Sequence, residues 1–228
     1  MKIKALALIA VLAAACLVAA QSQDKSNVAQ LARTGDPAAQ VQMGNMYAFG
    51  RGVPRDPDKA MDWYRKAAEK GYAEGQYRLG GMYDVGRPTK QDPATAVTWY
   101  TLAAKQGYRD AEYRLGVMYE EGRGASTDYV EAAKWYLRAA EHGRAEAQFK
   151  IGLLYEEGRG VPQNYTAAVK WYLQAAQQQR PEAEFKLGSL YERGLGVQRS
   201  KDEAIKWYTK ANDDGYAAAL DALRALEQ

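Results

Sequence analysis

The pair Trp-Tyr returns along this chain at one fixed interval. Trp63, Trp99, Trp135, Trp171 and Trp207 are each followed by tyrosine, each lies 36 residues from the next, and together they are every tryptophan in the 228-residue sequence. Gly44, Gly80, Gly116, Gly152 and Gly188 keep the same period, with a tyrosine three residues later at Tyr47, Tyr83, Tyr119, Tyr155 and Tyr191. A closed globule has no reason to space its largest side chains identically five times. A stacked array does, because each unit meets the next through the same contact. The columns predict repeats over 37–72, 73–108, 109–144, 145–180 and 181–216.

Each unit reads as two antiparallel helices, a front one such as 73–85 and a rear one such as 93–106. Asp56, Asp92, Asp128, Asn164 and Ser200 form a column ahead of the rear helices. Their side-chain oxygens suit the N-cap, worth about 1 kcal/mol each, and Pro57 and Pro93 suit the first helical position. Gly71, Gly107, Gly143 and Gly215 end rear helices, and Gly50, Gly86, Gly122, Gly158 and Gly194 end front ones, as left-handed C-caps do. Gln179 stands where the rear-helix glycine is called for, and Pro88 where the other loops carry a second glycine, as at Gly52, Gly124, Gly160 and Gly196. The junction 178–181 is therefore expected to be the least regular.

The units Met43-Gly-Asn-Met-Tyr47 with Lys59-Ala-Met-Asp-Trp-Tyr-Arg-Lys-Ala-Ala-Glu-Lys-Gly71, and Ile151-Gly-Leu-Leu-Tyr155 with Trp171-Tyr-Leu-Gln-Ala-Ala176, resemble the Sel1-like repeat, a relative of the tetratricopeptide repeat. The tetratricopeptide unit itself is 34 residues; the 36-residue spacing and the Gly-x-Gly loop favour the Sel1-like form. The resemblance implies an all-α fold: a right-handed superhelical α/α solenoid of five 36-residue helix-pair repeats with terminal capping helices. It also implies that front helices line a concave face.

Residues 1–20 read as a secretory signal peptide: Lys2 and Lys4, an apolar run to Leu17, and Val18-Ala19-Ala20 as cleavage site. They are too short and wrongly flanked to favour a permanent membrane span. Cys16, the one cysteine, loosely resembles a lipobox position, making a lipoprotein anchor the minority alternative. Cleavage at Ala20 leaves no cysteine, so the array stands on packing alone. It also leaves 29 basic against 28 acidic side chains, a balance with no footprint for nucleic acid. Residues 21–36 read as a polar N terminus and capping helix, and 217–228 as a C-terminal capping helix in which Arg224 replaces the column glycine.

All 17 tyrosines fall in repeat columns, which makes them cohesive before anything else. The front-helix glycines each cost about 1 kcal/mol relative to alanine, and close approach to a neighbour is the expected return. Gly80 is expected opposite Ala67-Ala68 or Ala103-Ala104. Glu74 with Arg78, Asp110 with Arg114, Glu146 with Lys150 and Glu182 with Lys186 place acid before base at i,i+4 on successive front helices. A partner surface is expected where units vary, at Asn45, Gly81, Val117, Leu153 and Ser189, or at Phe49, the one aromatic outside a column. Phe49, Val117 and Leu153 are the partner-binding candidates.

Catalytic and cofactor chemistry finds no residues to carry it. His142 is the sole histidine, in a last helical turn that suits a cation. Zinc lacks ligands, the Gly-Arg-Gly turns open into no phosphate loop, and no Ser has a placed His. The glutamates read as a solvated face. Together with the resemblance, these features imply a periplasmic or secreted non-enzymatic scaffold that mediates protein–protein interaction in the bacterial cell envelope. Partners would meet its concave or edge surface. Relatives also suggest an immunity protein against a secreted toxic effector and, as the reading of another class, a β-lactamase-like or penicillin-binding hydrolase.

Overall fold

The computed structural model describes residues 26–227, so the leader expected at 1–20 and its Cys16 lie outside the described residues. Every described element is a helix: α1 (26–34), α2 (Pro37–Phe49), α3 (Pro57–Glu69), α4 (Ala73–Val85), α5 (Pro93–Lys105), α6 (Arg109–Glu121), α7 (Tyr129–Glu141), α8 (Ala145–Glu157), α9 (Tyr165–Gln177), α10 (Pro181–Arg193), α11 (Lys201–Asp213) and α12 (Ala218–Glu227). The chain divides into two compact units after Leu102, within α5. In each, consecutive helices pack as neighbours, giving the expected all-α solenoid of helix pairs.

Local chemistry sets the ends of these helices. Asp56, Asp128, Asn164 and Ser200 accept from first-turn backbone N–H groups of α3, α7, α9 and α11, and Asp92 does the same for Thr95 N–H in α5. Front helices stop at left-handed glycines: Gly50, Gly86, Gly122, Gly158 and Gly194 have φ between 68° and 72°. Gln179 departs from the sequence-based expectation of an irregular junction. It adopts φ 59°, its N–H donates to Ala176 O at 3.0 Å, and Arg180 N–H reaches Ala175 O, the bonds made by Gly143 and Arg144 one repeat earlier. Hydrogen bonds from Gln178 Nε2 to Gly143 O and Gln148 Oε1 fasten this turn to the preceding one, so packing imposes the conformation that glycine supplies elsewhere.

The front-helix glycine serves a contact other than the one expected of it. A Cβ on Gly80 would lie 2.9 Å from Tyr100 Cδ1, on Gly116 2.5 Å from Tyr136 Cδ1, and on Gly152 2.6 Å from Tyr172 Cε1. Gly80 thus faces the tyrosine of its own repeat, 20 residues on, and Gly75 is the residue against Ala67 and Ala68. Tyr100, Tyr136 and Tyr172 are fully buried, each burial stabilising by about 1.5 to 3 kcal/mol. A second ring lies across each of them, as Phe149 does 5.8 Å from Tyr172.

Tryptophan does the complementary job between repeats. Trp171 packs on a cluster that joins Tyr136 of the repeat before it to Ile151 and Leu154 of its own front helix, and Trp207 on one that joins Tyr172 to Leu187 and Leu190 in the same way. At the ends, α1 buries Ala32 against Ala39 and Met43 with Trp63 alongside, and α12 buries Ala219 against Tyr208 and Ala211. Gly116→Val, which drives a branched side chain into the Tyr136 ring, is expected to destabilise by about 1 to 3 kcal/mol. Urea unfolding with an unchanged midpoint would refute the contact.

Candidate functional site

In a repeat array the useful surface is what internal contacts leave over. The first internal set is a column of polar residues inside the stack: Gln40, Gln76, Glu112, Gln148 and Glu184, all buried. Where the residue is glutamine, its amide donates to a carbonyl at the end of the preceding rear helix: Gln40 to Ala32, Gln76 to Ala68, Gln148 to Ala140. A carboxylate has no such donor, and a cation 26 residues on supplies it. Arg138 bonds both Glu112 Oε1 at 3.2 Å and Ala104 O, and Lys210 bonds both Glu184 Oε1 and Ala176 O.

These two glutamates correct the expectation of a solvated acidic face, for both are 0 % exposed. Their surroundings differ. Glu112 has its second oxygen filled by His142 Nδ1 at 2.7 Å, so the lone histidine completes a buried rung while sitting at the C-cap of α7. Glu184 Oε2 is buried with no donor. Burial, and the Asp214 carboxylate beside it, push the Glu184 carboxyl above its ordinary range against the pull of Lys210.

A second set runs along the front helices. Tyr136 Oη donates to Glu120 at 2.5 Å, Tyr172 to Glu156 and Tyr208 to Glu192, while Tyr64 donates to Asn45. Burial pushes the Tyr64 phenol up to about 12, and Tyr136 and Tyr172 are raised further by burial and by the glutamate each meets. Lys150 and Lys186 reach these same glutamates, Glu120 at 2.9 Å and Glu156 at 3.2 Å, in place of the i,i+4 partners expected for them. The expected pair Glu74–Arg78 forms, at 3.0 Å. Asp110 pairs with Arg144, Glu146 with Arg144 and Arg180, and Glu182 with Arg180. The reason is local. Arg144 and Arg180 occupy the N-cap position that Tyr72 and Tyr108 hold in other units, and there they lie between successive first-turn acids.

The three partner-binding candidates separate into two kinds. Phe49 ends α2 and is 60 % exposed, with the Arg51 guanidinium 5.2 Å from its ring. Val117 and Leu153 are half-buried and pack against the cores of the third and fourth repeats. Val85, the residue one period after Phe49 and 65 % exposed, was missed by sequence reasoning, although its column of Phe49, Val85, Glu121, Glu157 and Arg193 shows the change of character. Two hollows flank α7, one of about 120 Å³ beside Val130, Ile151 and Val161, the other of about 330 Å³ beside Trp135 and Arg138. The second also holds the Glu131–Lys134 ion pair on its wall. Among the described residues no group of three or more His, Cys, Asp or Glu could hold a metal ion, and no helix is long and apolar enough to cross a membrane.

The rungs generate two expected outcomes. Arg138→Leu removes the donor of Glu112 Oε1 and Ala104 O and is expected to cost about 2 to 3 kcal/mol, whereas Glu112→Gln/Arg138→Leu recreates the Gln76 and Leu102 of the second repeat. Urea unfolding should place that double variant within about 1 kcal/mol of wild type; equal losses for single and double variants would refute the rung. Glu184 has a raised folded-state pKa, so its contribution is fully present below the ordinary carboxylate value and is lost as pH rises through the folded one. Glu184→Gln is therefore expected to stabilise by about 1 kcal/mol at neutral pH, with the gain shrinking as pH falls towards about 4, measured as melting temperature against pH.

The Sel1 repeat family model matches residues 37–72, 73–108, 109–143, 145–179 and 181–216. The chain is 40% identical to c5321 of uropathogenic Escherichia coli, described as a protective antigen displaying an SLR fold, with a TM-score of 0.84 over 87% of this chain and 42% of that one. It therefore spans less than half the length of that relative. It is 36% identical to a Sel1 repeat protein from Oxalobacter formigenes, TM-score 0.75, covering 85% of this chain and 77% of the other. The immunity protein PA5088 of Pseudomonas aeruginosa shares the fold at 22% identity and a TM-score of 0.50, over 87% and 72% of the two chains. No curated protein matches the chain. With five helix pairs, their shared glycine and tryptophan columns and matches to the family along the array, the chain belongs to the Sel1 repeat family.

Proposed function

We propose that this chain is an exported scaffold that binds another protein in the bacterial cell envelope. One observation carries the reading. The positions shared between repeats are taken up by internal contacts, glycine on tyrosine, tryptophan on the neighbouring core and the polar rungs, so that recognition falls to positions that differ from unit to unit. Phe49 and Val85 are exposed positions of this kind; Val117 and Leu153 also differ between units but are half-buried against the cores. A solenoid supplies surface, and its activity lies in what docks there.

Export is supported by the leader-like sequence of residues 1–20 and by similarity to a relative described as a protective antigen. The immunity role is a narrower form of the same reading, selected if the partner is a toxin. The test is affinity capture from the native cells with a C-terminal tag, after brief crosslinking in the intact envelope. The expected result is one protein near stoichiometry with the captured chain beginning at Gln21. Recovery of nothing specific would overturn the scaffold, and an uncleaved N terminus would overturn export.

A further inference from the structure

The turns that follow the front helices are built to one plan with one substitution in it. In the third and fourth repeats the helix ends on glutamate, and after the left-handed glycine comes an arginine that pairs back to it: Arg123 with Glu121 at 3.1 Å, Arg159 with Glu157 at 3.0 Å. The first and second repeats keep the glycine and the arginine, as Gly50-Arg51 and Gly86-Arg87, but replace the glutamate with Phe49 and Val85. Both apolar side chains are exposed, and so are both arginines. Among the described residues neither Arg51 nor Arg87 has a carboxylate within ion-pair distance. The acids of these turns are already engaged: Asp56 caps α3 and pairs with Lys59, and Asp92 binds Thr95.

The counter-ion that two repeats supply internally is thus exchanged, twice and in register, for an apolar group. The two sites end α2 and α4, which pack against each other, so they stand roughly 10 Å apart by the ordinary spacing of packed helices. We infer that the edge formed by Phe49, Arg51, Val85 and Arg87 docks a protein segment in which carboxylates alternate with aliphatic or aromatic side chains, its acids replacing the missing glutamates and its apolar groups covering Phe49 and Val85. This rests on the scaffold reading above and names the surface and the chemistry of its partner. Exposed charge pairs contribute little alone; an apolar anchor beside each cation excludes water from the pair. An anionic membrane is the weaker occupant, since membrane attachment through charge uses clusters of basic residues and here each apolar group is matched by one arginine.

Phe49→Glu/Val85→Glu gives the first two turns the Glu-Gly-Arg of the next two, and is expected to fold. Arg51→Gln/Arg87→Gln removes the cations alone. The probe is a short fluorescein-labelled peptide alternating Glu and Leu, with a Lys-Leu peptide as its charge-inverted control, read by anisotropy. Wild type is expected to bind the Glu-Leu peptide about ten-fold more tightly than either variant does, and than it binds the control. Equal binding by wild type and variants, or none by any of them, would overturn the inference. So would retention of wild type and not the variants on phosphatidylglycerol vesicles without peptide discrimination, which assigns the edge to lipid. A partner captured from cells equally well by wild type and Phe49→Glu/Val85→Glu sinks this edge and leaves the scaffold standing, whereas capture of nothing by wild type sinks the scaffold itself.

Discussion

The contact of a front-helix glycine with the tyrosine ring of its own rear helix is the constraint from which the rest of the stack follows. Gly44, Gly80, Gly116, Gly152 and Gly188 each leave space that a Cβ would take from Tyr64, Tyr100, Tyr136, Tyr172 or Tyr208. The close approach makes room for a large ring in the interior, and the ring then carries its hydroxyl to the front-helix polar group, Glu120, Glu156 or Glu192. Helix propensity opposes glycine at these sites by about 1 kcal/mol. Burial of a ring outweighs it. Tryptophan can then be spent between repeats, since the interior of each pair is already filled.

Burying a polar column inside such a stack carries a cost unless every atom finds a partner. Two chemistries satisfy it. A glutamine amide reaches the previous helix end directly, and a glutamate does so through Arg138 or Lys210. Both glutamates have a cation 26 residues on, whereas the glutamines have Lys66, Leu102 or Gln174 there, so the amide chemistry does not depend on a cation at that position. In the fifth repeat the solution is incomplete, with one Glu184 oxygen unmatched and Asp214 close by.

Much of this was legible in the sequence, because period, caps and turn glycines are local signals. The N-cap column and the left-handed glycines fell where residue type put them. What faced what was not legible. Gly80 was assigned to alanines, since spacing shows that a contact exists and leaves its partner open. Glu112 and Glu184 looked like surface acids because a carboxylate and an amide share a column only when the partner 26 residues away is read with them. Lys150 and Lys186 prefer a glutamate already oriented by a tyrosine hydroxyl over the one a helical turn away, a choice made by three-dimensional proximity. At Gln179 tertiary packing overrode the backbone preference of the residue, which sets itself against about 1 to 2 kcal/mol.

Function was legible to the extent that the shared columns are consumed by the fold and leave the variable ones free. The exchange of Glu121 and Glu157 for Phe49 and Val85 is of that kind, visible in one column of letters yet meaningful only once Arg123 and Arg159 are seen paired. The glycine–tyrosine contact is tested most directly by one measurement: the stability cost of Gly152→Ala in wild type and in a Tyr172→Leu background. Alanine should destabilise the wild type by about 1 kcal/mol or more through overpacking, and should become neutral or stabilising by up to about 1 kcal/mol once the ring is gone. The same cost in both backgrounds would contradict the account.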